Sequence, residues 1–182
     1  VLLPTKDRIF LETNLFPAFN SKMVLNDVLF IGVHWYTFNY QRYFPKSRFV
    51  TLDQAPWKRI FGAREHYVTR IENAYTLVAA QRFDLVICNG VWGWGLNTKN
   101  ATETALETMR ILLKPSGYLL WGWNNRKSRH PFNWKTCHNL KYFQPDRVGS
   151  IPHETHIDNF YQHVFTIFRK KSSLPPFTTA QR

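Results

Sequence analysis

The sequence predicts one α/β domain built around a doubly wound, mostly parallel sheet. Three observations carry this reading. Val28-Leu29-Phe30-Ile31-Gly32-Val33 and Leu85-Val86-Ile87-Cys88 are continuous apolar runs with no polar alternation, as expected of strands covered on both faces. Strand-like runs alternate along the chain with helix-like segments, the order of βαβ units with right-handed crossovers. With 182 residues there is room for one sizeable core and little for a second domain.

In chain order, residues 5–22 are expected to form a leading helix, with Ile9, Phe10, Leu11, Leu15 and Phe16 apolar and Pro17 breaking it. The first strand follows at 28–33, then a short aromatic helix over 35–43 that ends before Pro45. Arg48-Phe49-Val50-Thr51-Leu52-Asp53 is a second strand ending on an acid, and residues 55–62 suit a short helix with Pro56 in its first turn. His66 to Ile71 is a third strand, trailed by Glu72, and residues 84–90 form a fourth that ends in Asn89-Gly90. The clearest helix runs from Thr98, a plausible N-cap, to Leu113, with Ala101, Ala105, Leu106, Met109 and Leu112 at helical spacing. Lys114-Pro115-Ser116-Gly117 reads as a turn before a fifth strand, Tyr118 to Trp123. Residues 124–140 are expected to be loop and short helix. A limited strand is expected near 141–151, and a final strand from Phe160 to Arg169 alternates Tyr161, His163, Phe165 and Ile167 against the opposite face. The domain is therefore read as residues 1–171, with 1–25 a helical lead-in and 172–182 a flexible tail.

Composition narrows the function classes. No apolar run reaches the roughly 20 residues of a membrane-spanning helix, and Lys6, Asp7 and Arg8 interrupt the apolar start that a signal peptide would need. Val1 stands where an initiating Met would be expected, which leaves processing, trimming or excision from a longer polypeptide open. Cys88 and Cys137 have no metal-ligand spacing and are read as free thiols of a reducing, cytoplasmic compartment. A net charge of +12 predicts attraction to anions: nucleic acid, an acidic glycan or a charged cofactor. No RNP, zinc-finger or basic-helix pattern accompanies that charge. Of seven tryptophans, Trp92, Trp94, Trp121, Trp123 and Trp134 fall between residues 92 and 134; core packing explains some of them, but a cluster at strand ends is harder to assign wholly to the core.

In a doubly wound sheet, ligands bind beyond the carboxyl ends of the strands. That edge collects Gly32, His34, Asp53, Glu72, Asn89, Gly90, Trp92, Trp94, Trp123 and Asn124. Asp53 ends the second strand 21 residues after Gly32, and a carboxylate there can accept hydrogen bonds from both hydroxyls of a ribose. Glu72 would line an adenine site, and Asn89-Gly90 would bring backbone close to the ligand.

Val28-Leu29-Phe30-Ile31-Gly32-Val33-His34, Phe49 to Asp53, Phe83 to Gly90, and Leu112-Leu113-Lys114-Pro115-Ser116-Gly117-Tyr118-Leu119 resemble successive signature segments of the class I S-adenosylmethionine-dependent methyltransferases. The resemblance covers about residues 28–123. It implies a three-layer Rossmann-like fold with a seven-stranded sheet whose last strand is antiparallel. It also implies S-adenosylmethionine as methyl donor, S-adenosylhomocysteine as product, and transfer by direct displacement. The family's G-x-G-x-G loop is here Gly32-Val33-His34-Trp35-Tyr36, so only the first glycine remains and His34 must reshape the loop or contact the donor. The Asn/Asp-Pro-Pro-Tyr/Phe segment that marks amino-group methylation of bases and glutamine is absent, Asn89-Gly90-Val91-Trp92 standing in its place. That favours a hydroxyl acceptor, with a sugar or glycan on the faces of Trp92, Trp94 and Trp123 and beside Asn124. The resemblance places the acceptor side in the loops after the fourth and fifth strands and before the last. There His130, His153 and His156 are the candidate bases, with Glu154 or Asp158 as orienting carboxylates. The resemblance leaves a divalent ion on His153, His156 and Asp158 open, since some sugar O-methyltransferases use one, but it is not predicted, because the spacing matches no ligand pattern. RNA is the alternative acceptor class, and a non-catalytic module of a larger assembly the alternative role.

Overall fold

The computed structural model describes residues 2–172, and the expected tail beyond Ser172 lies outside them. Eight strands form one sheet: β1 (Asp27–Ile31), β2 (Arg48–Asp53), β3 (Glu65–Val68), β4 (Phe83–Asn89), β5 (Leu113–Asn124), β6 (Phe143–Pro145), β7 (Glu154–His156) and β8 (His163–Lys170). Their order is β3-β2-β1-β4-β5-β8-β6, with β7 also paired to β8. β1 to β5 are mutually parallel, and β8 runs antiparallel to β5, β6 and β7. The sheet thus reverses direction outward from β1, which opens a crevice at the carboxyl ends of β1 and β4.

The period-two geometry of strands sorts the core into two halves. Leu29, Ile31, Val86, Cys88, Leu119 and Trp121 face the helix α3 (Lys99–Leu112). Val28, Phe30, Leu85, Ile87, Leu120 and Phe165 face the N-terminal helical segment: α1 (Lys6–Phe10), a π turn (Leu11–Leu15) and α2 (Phe16–Lys22). Both faces are apolar because both are covered, as the unalternating runs require.

Several elements differ from the sequence reading. Pro17 does not break the leading helix; it falls in the first turn of α2, immediately after the wider π turn. Residues 35–43 form turns and one 3-10 segment (Tyr40–Tyr43) instead of a helix. Aromatic residues and Thr37 are weak helix formers, and Thr37 Oγ1 ties its own turn by accepting from the His34 N–H and donating to the His34 carbonyl, both at 2.9 Å. The 55–62 helix is also 3-10 (Pro56–Phe61). α3 matches its reading, with Thr98 Oγ1 accepting from the Ala101 N–H at 3.2 Å. The turn expected at 114–117 is drawn into the start of β5, where Ser116 takes a left-handed φ of 61° and the register with β4 shifts. Residues 154–156, read as loop, form the short strand β7. Cys88 and Cys137 are free and buried, and burial raises both thiols, Cys137 to about 11.

Candidate functional site

The cleft at the carboxyl edge is assembled from the ends of four strands. Gly32 follows β1 with φ 86°, Gly90 follows β4 with φ 68°, Asp53 ends β2, and Thr69 to Glu72 follow β3. These residues, with Lys58, Val91 and Trp94, line a cavity of about 120 Å³. A larger groove of about 780 Å³ lies beside α3 near the start of β5, between Arg110, Tyr142 and Lys170. It is at the wrong end of the parallel strands for a doubly wound site.

Asp53 is 5% exposed, and its carboxylate is spoken for on three sides. Oδ2 accepts from the Val33 N–H and from Lys58 Nζ, both at 3.0 Å, and Oδ1 accepts from the Ala55 N–H at 2.9 Å. The two backbone bonds fix the loops after β1 and β2 around the acid. Lys58, the third partner, lines the same cavity as the acid. Beyond it, Arg70 grips Glu72 Oε1 through Nε at 3.0 Å and Nη2 at 2.8 Å, and Gln54 Oε1 through Nη1 at 3.1 Å. Two long basic side chains therefore lie over two cleft carboxylates. The glycines are placed differently from each other: a Cβ at Gly32 would sit 3.1 Å from Val91 Cγ2, while one at Gly90 would meet nothing within 4 Å and would project into open space.

His34 does not line this cavity. Its ring stacks on Tyr36 with centroids 4.6 Å apart and faces Phe61 at 6.2 Å, so the substituted glycine loop turns its imidazole away from the cleft. Burial, then the charges of Lys58 and Arg8, lower its pKa.

On the far side of β4 is a buried polar cluster that centres on a residue absent from the sequence candidates. His163, at the start of β8, is 4% exposed. Its Nε2 lies 3.0 Å from the Asn89 side-chain amide, and its Nδ1 2.7 Å from that of Asn124. Burial pushes its pKa down to about 4, so the ring is neutral near pH 7. A neutral imidazole donates from one nitrogen and accepts at the other. One asparagine therefore offers its carbonyl oxygen to the ring and the other its amide nitrogen. Gly122 of β5 lies beneath them; a Cβ there would overlap Asn89 Oδ1 and come within 3.0 Å of His163 Nε2. The signal for His163 was in the sequence: its alternation with Phe165 and Ile167 put a lone histidine on an otherwise apolar strand face.

The other sequence candidates separate into three groups. Trp92 and Trp123 are 2% and 6% exposed and pack edge-to-face within the core at 5.9 Å, leaving Trp94 as the indole that lines the cleft. His130 packs against both buried indoles, at 5.3 and 5.7 Å, and its Nε2 is 3.1 Å from the Asn124 carbonyl oxygen. Because a carbonyl only accepts, Nε2 carries a proton there, which in the neutral ring leaves the lone pair on Nδ1. His153 immediately precedes the outer strand β7 and His156 ends it, three interstrand steps or roughly 14 Å from β4. His156 pairs with Glu154 at 2.9 Å, and Asp158 is paired at 3.9 Å with Lys6. Among the described residues no group of three His, Cys, Asp or Glu side chains is placed to hold a metal ion, His153, His156 and Asp158 included.

The strand order, the reversed last strand and the cleft at the β1–β4 crevice define the fold of the class I S-adenosylmethionine-dependent methyltransferases. Among solved structures the chain resembles the N-methyltransferase NodS from Bradyrhizobium japonicum, at 18% identity and TM-score 0.67 over 88% of this chain and 94% of that one. NodS in complex with S-adenosyl-L-homocysteine matches at 17% identity and TM-score 0.65, over 87% and 85% of the two chains. The 1,6-didemethyltoxoflavin-N1-methyltransferase of Burkholderia thailandensis matches at 15% and 0.59, over 88% and 79%. No family pattern and no curated protein sequence matches the chain.

Proposed function

We propose that the chain transfers a methyl group from S-adenosylmethionine to a hydroxylated acceptor, a sugar being the acceptor class that the residues favour. The observation that carries the donor side is the Asp53 carboxylate at the tip of β2, beside Gly32 after the neighbouring β1 and with Gly90 one strand further along the carboxyl edge. An ionised carboxylate offers about four lone-pair positions. Two serve Val33 and Ala55, one is free, and the one that Lys58 occupies becomes free when that lysine swings away. Two acceptor positions for the two hydroxyls of a ribose are the result. Gly90, where a Cβ would fill open space, gives the close backbone approach that a nucleoside needs. A cavity of about 120 Å³ is small beside the roughly 300 Å³ or more of ordinary ligand sites. Lys58 and Arg70 are long, rotatable side chains, and their displacement supplies the difference.

When bound, the donor supplies an electrophilic methyl on a sulfonium. Asp53 and Glu72 would hold its nucleoside, and Gly32 and Gly90 its close backbone contacts. On the acceptor side, transfer to oxygen requires alignment of the hydroxyl and removal of its proton. His163, neutral and buried, fixes the rotamer of the Asn89 amide beside the cleft. His130 has Nδ1 available to take a proton, with the ring held by its Nε2 bond to the Asn124 carbonyl. Trp94 offers an apolar face to sugar C–H groups. His153 and His156 are assigned no part in this arrangement.

The test is transfer of labelled methyl from S-adenosylmethionine to a panel of mono- and oligosaccharides and other hydroxylated small molecules, scored by product mass. Turnover with at least one sugar, reduced about 100-fold in His130→Ala with donor binding kept, supports the reading. Methylation only at nitrogen or carbon across a mixed panel contradicts the acceptor assignment.

A further inference from the structure

We propose that the carboxyl edge is a docking surface for single-stranded nucleic acid, whose bases stack on an exposed aromatic rim while its phosphates meet the basic loop after β5. The aromatic side chains exposed among the described residues are not scattered. Trp35, Phe38, Trp57, Trp94, Phe160 and Tyr161 all belong to the segments that join the strands at this edge, and Tyr75 is the one exposed Phe, Tyr or Trp elsewhere among the described residues. A fold that hides Trp92, Trp121, Trp123 and Trp134 in its core has no packing use for Trp57 at 62% exposure or Phe160 at 72%. Exposed ring faces of this size at one edge mark a contact surface.

Charge identifies the occupant. Residues 125–136 contain Arg126, Lys127, Arg129 and Lys135 and no acid. Two of these guanidinium groups are stacked on rim rings: Arg129 lies 3.8 Å from the Trp94 centroid and Arg126 4.0 Å from that of Phe160. A ring carrying a cation on one face, with the rest open, suits a planar group attached to an anion. An alternation of cations and aromatic faces is how proteins hold single strands without reading their sequence. From the loop after β2, which carries Trp57, to the start of β8 beside Phe160 is four interstrand steps, roughly 19 Å. That length suits a strand of several nucleotides. An acidic glycan shares the charge but not the flat bases.

Binding of this kind does not depend on the methyl-transfer reading. It deepens that reading only by naming what would carry the sugar hydroxyl to the cleft. The experiment is fluorescence polarisation of a labelled ten-residue oligouridylate with the full chain and no donor present, compared with a duplex of equal length and with heparin. The single strand is expected to bind more tightly than the duplex. Affinity should fall roughly 20-fold between 50 and 200 mM salt if about three phosphates are contacted. Phe160→Ala and Trp57→Ala should each weaken binding roughly tenfold, and Arg126→Glu with Arg129→Glu should abolish it. Trp57, Phe160 and Arg126 are exposed and Arg129 is half-buried, and unchanged circular dichroism of the variants checks that the fold survives. Equal binding of heparin and the single strand, or indifference to the two aromatic substitutions, overturns the proposal in favour of unspecific attraction of polyanions. Binding that persists in the double arginine variant also overturns it. Donor titrations of the same samples report separately on the methyltransferase reading.

Discussion

Lys58 Nζ lies 3.0 Å from Asp53 Oδ2, and both residues line the same cleft, so the acid proposed to hold the donor is covered by a cation from its own loop. The carboxylate is buried and the lysine about a quarter exposed, which makes the pair stronger than a surface ion pair. A nucleoside must displace the ammonium before its hydroxyls reach the oxygen.

Lys58→Met should therefore bind S-adenosylhomocysteine more tightly than the wild type. An ion pair worth about 1 kcal/mol corresponds to roughly a fivefold gain. Calorimetric titration at low and high salt checks this: the wild type should bind better as salt loosens the pair, and the variant should lose that dependence. Weaker binding by the variant would mean that Lys58 touches the ligand instead of competing with it.

Asp53→Ala should cost both binding and stability. The change leaves the buried Val33 N–H and the half-buried Ala55 N–H without their acceptor, at a cost of about 1–3 kcal/mol for the buried group and less for the other. Asp53→Asn keeps one acceptor oxygen and should recover part of the stability while still weakening ligand binding. Thermal melting of the two variants separates the effects.

Gly122→Ala tests the buried cluster. The added methyl meets Asn89 Oδ1, which is buried and held by its contact with His163 Nε2 at 3.0 Å. Destabilisation of about 1–3 kcal/mol is expected, as for other overpacked cores, together with loss of the His163 hydrogen bonds. Denaturant melts and imidazole resonances in NMR spectra give the two readouts.

The same cluster sets a pH dependence. His163 titrates at about 4 when folded, against about 6.5 for an exposed imidazole. The unfolded chain takes up the proton first as pH falls, so stability declines through the window from about 6.5 to 4 and is insensitive to this group above it. Burial lowers His34 and His66 as well, and both act in the same direction. His163→Gln should flatten part of the decline in melting temperature between pH 6.5 and 4.5. An unchanged slope would assign the effect to the other two histidines.

Burial patterning explains how much of this was legible in the residues. The apolar runs at Val28–Ile31 and Leu85–Cys88 specify strands covered on both faces, and β1 and β4 occur there. Asp53 and Gly90 follow from strand-end position alone. Side chains that meet across strands were not legible. Asn89 and His163 are 74 residues apart and touch only because Gly122 leaves a gap between them. Lys58 and Arg70 carry no local sign that they lie over carboxylates. The crossovers also misled: aromatic segments such as 35–43 have an apolar rhythm but poor helix propensity, and tertiary packing keeps them as turns. The indoles carry a related ambiguity, since a tryptophan at a strand end can face core or solvent, and Trp92 and Trp123 face the core.

Titration of S-adenosylhomocysteine into the purified chain, followed by calorimetry, tests the central claim most directly. One saturable site per chain is predicted, weakened at least tenfold by Asp53→Ala and strengthened by Lys58→Met. Absence of any saturable binding by the folded wild-type protein, at ligand concentrations well above the micromolar range, would contradict the assignment of this cleft to a methyl donor.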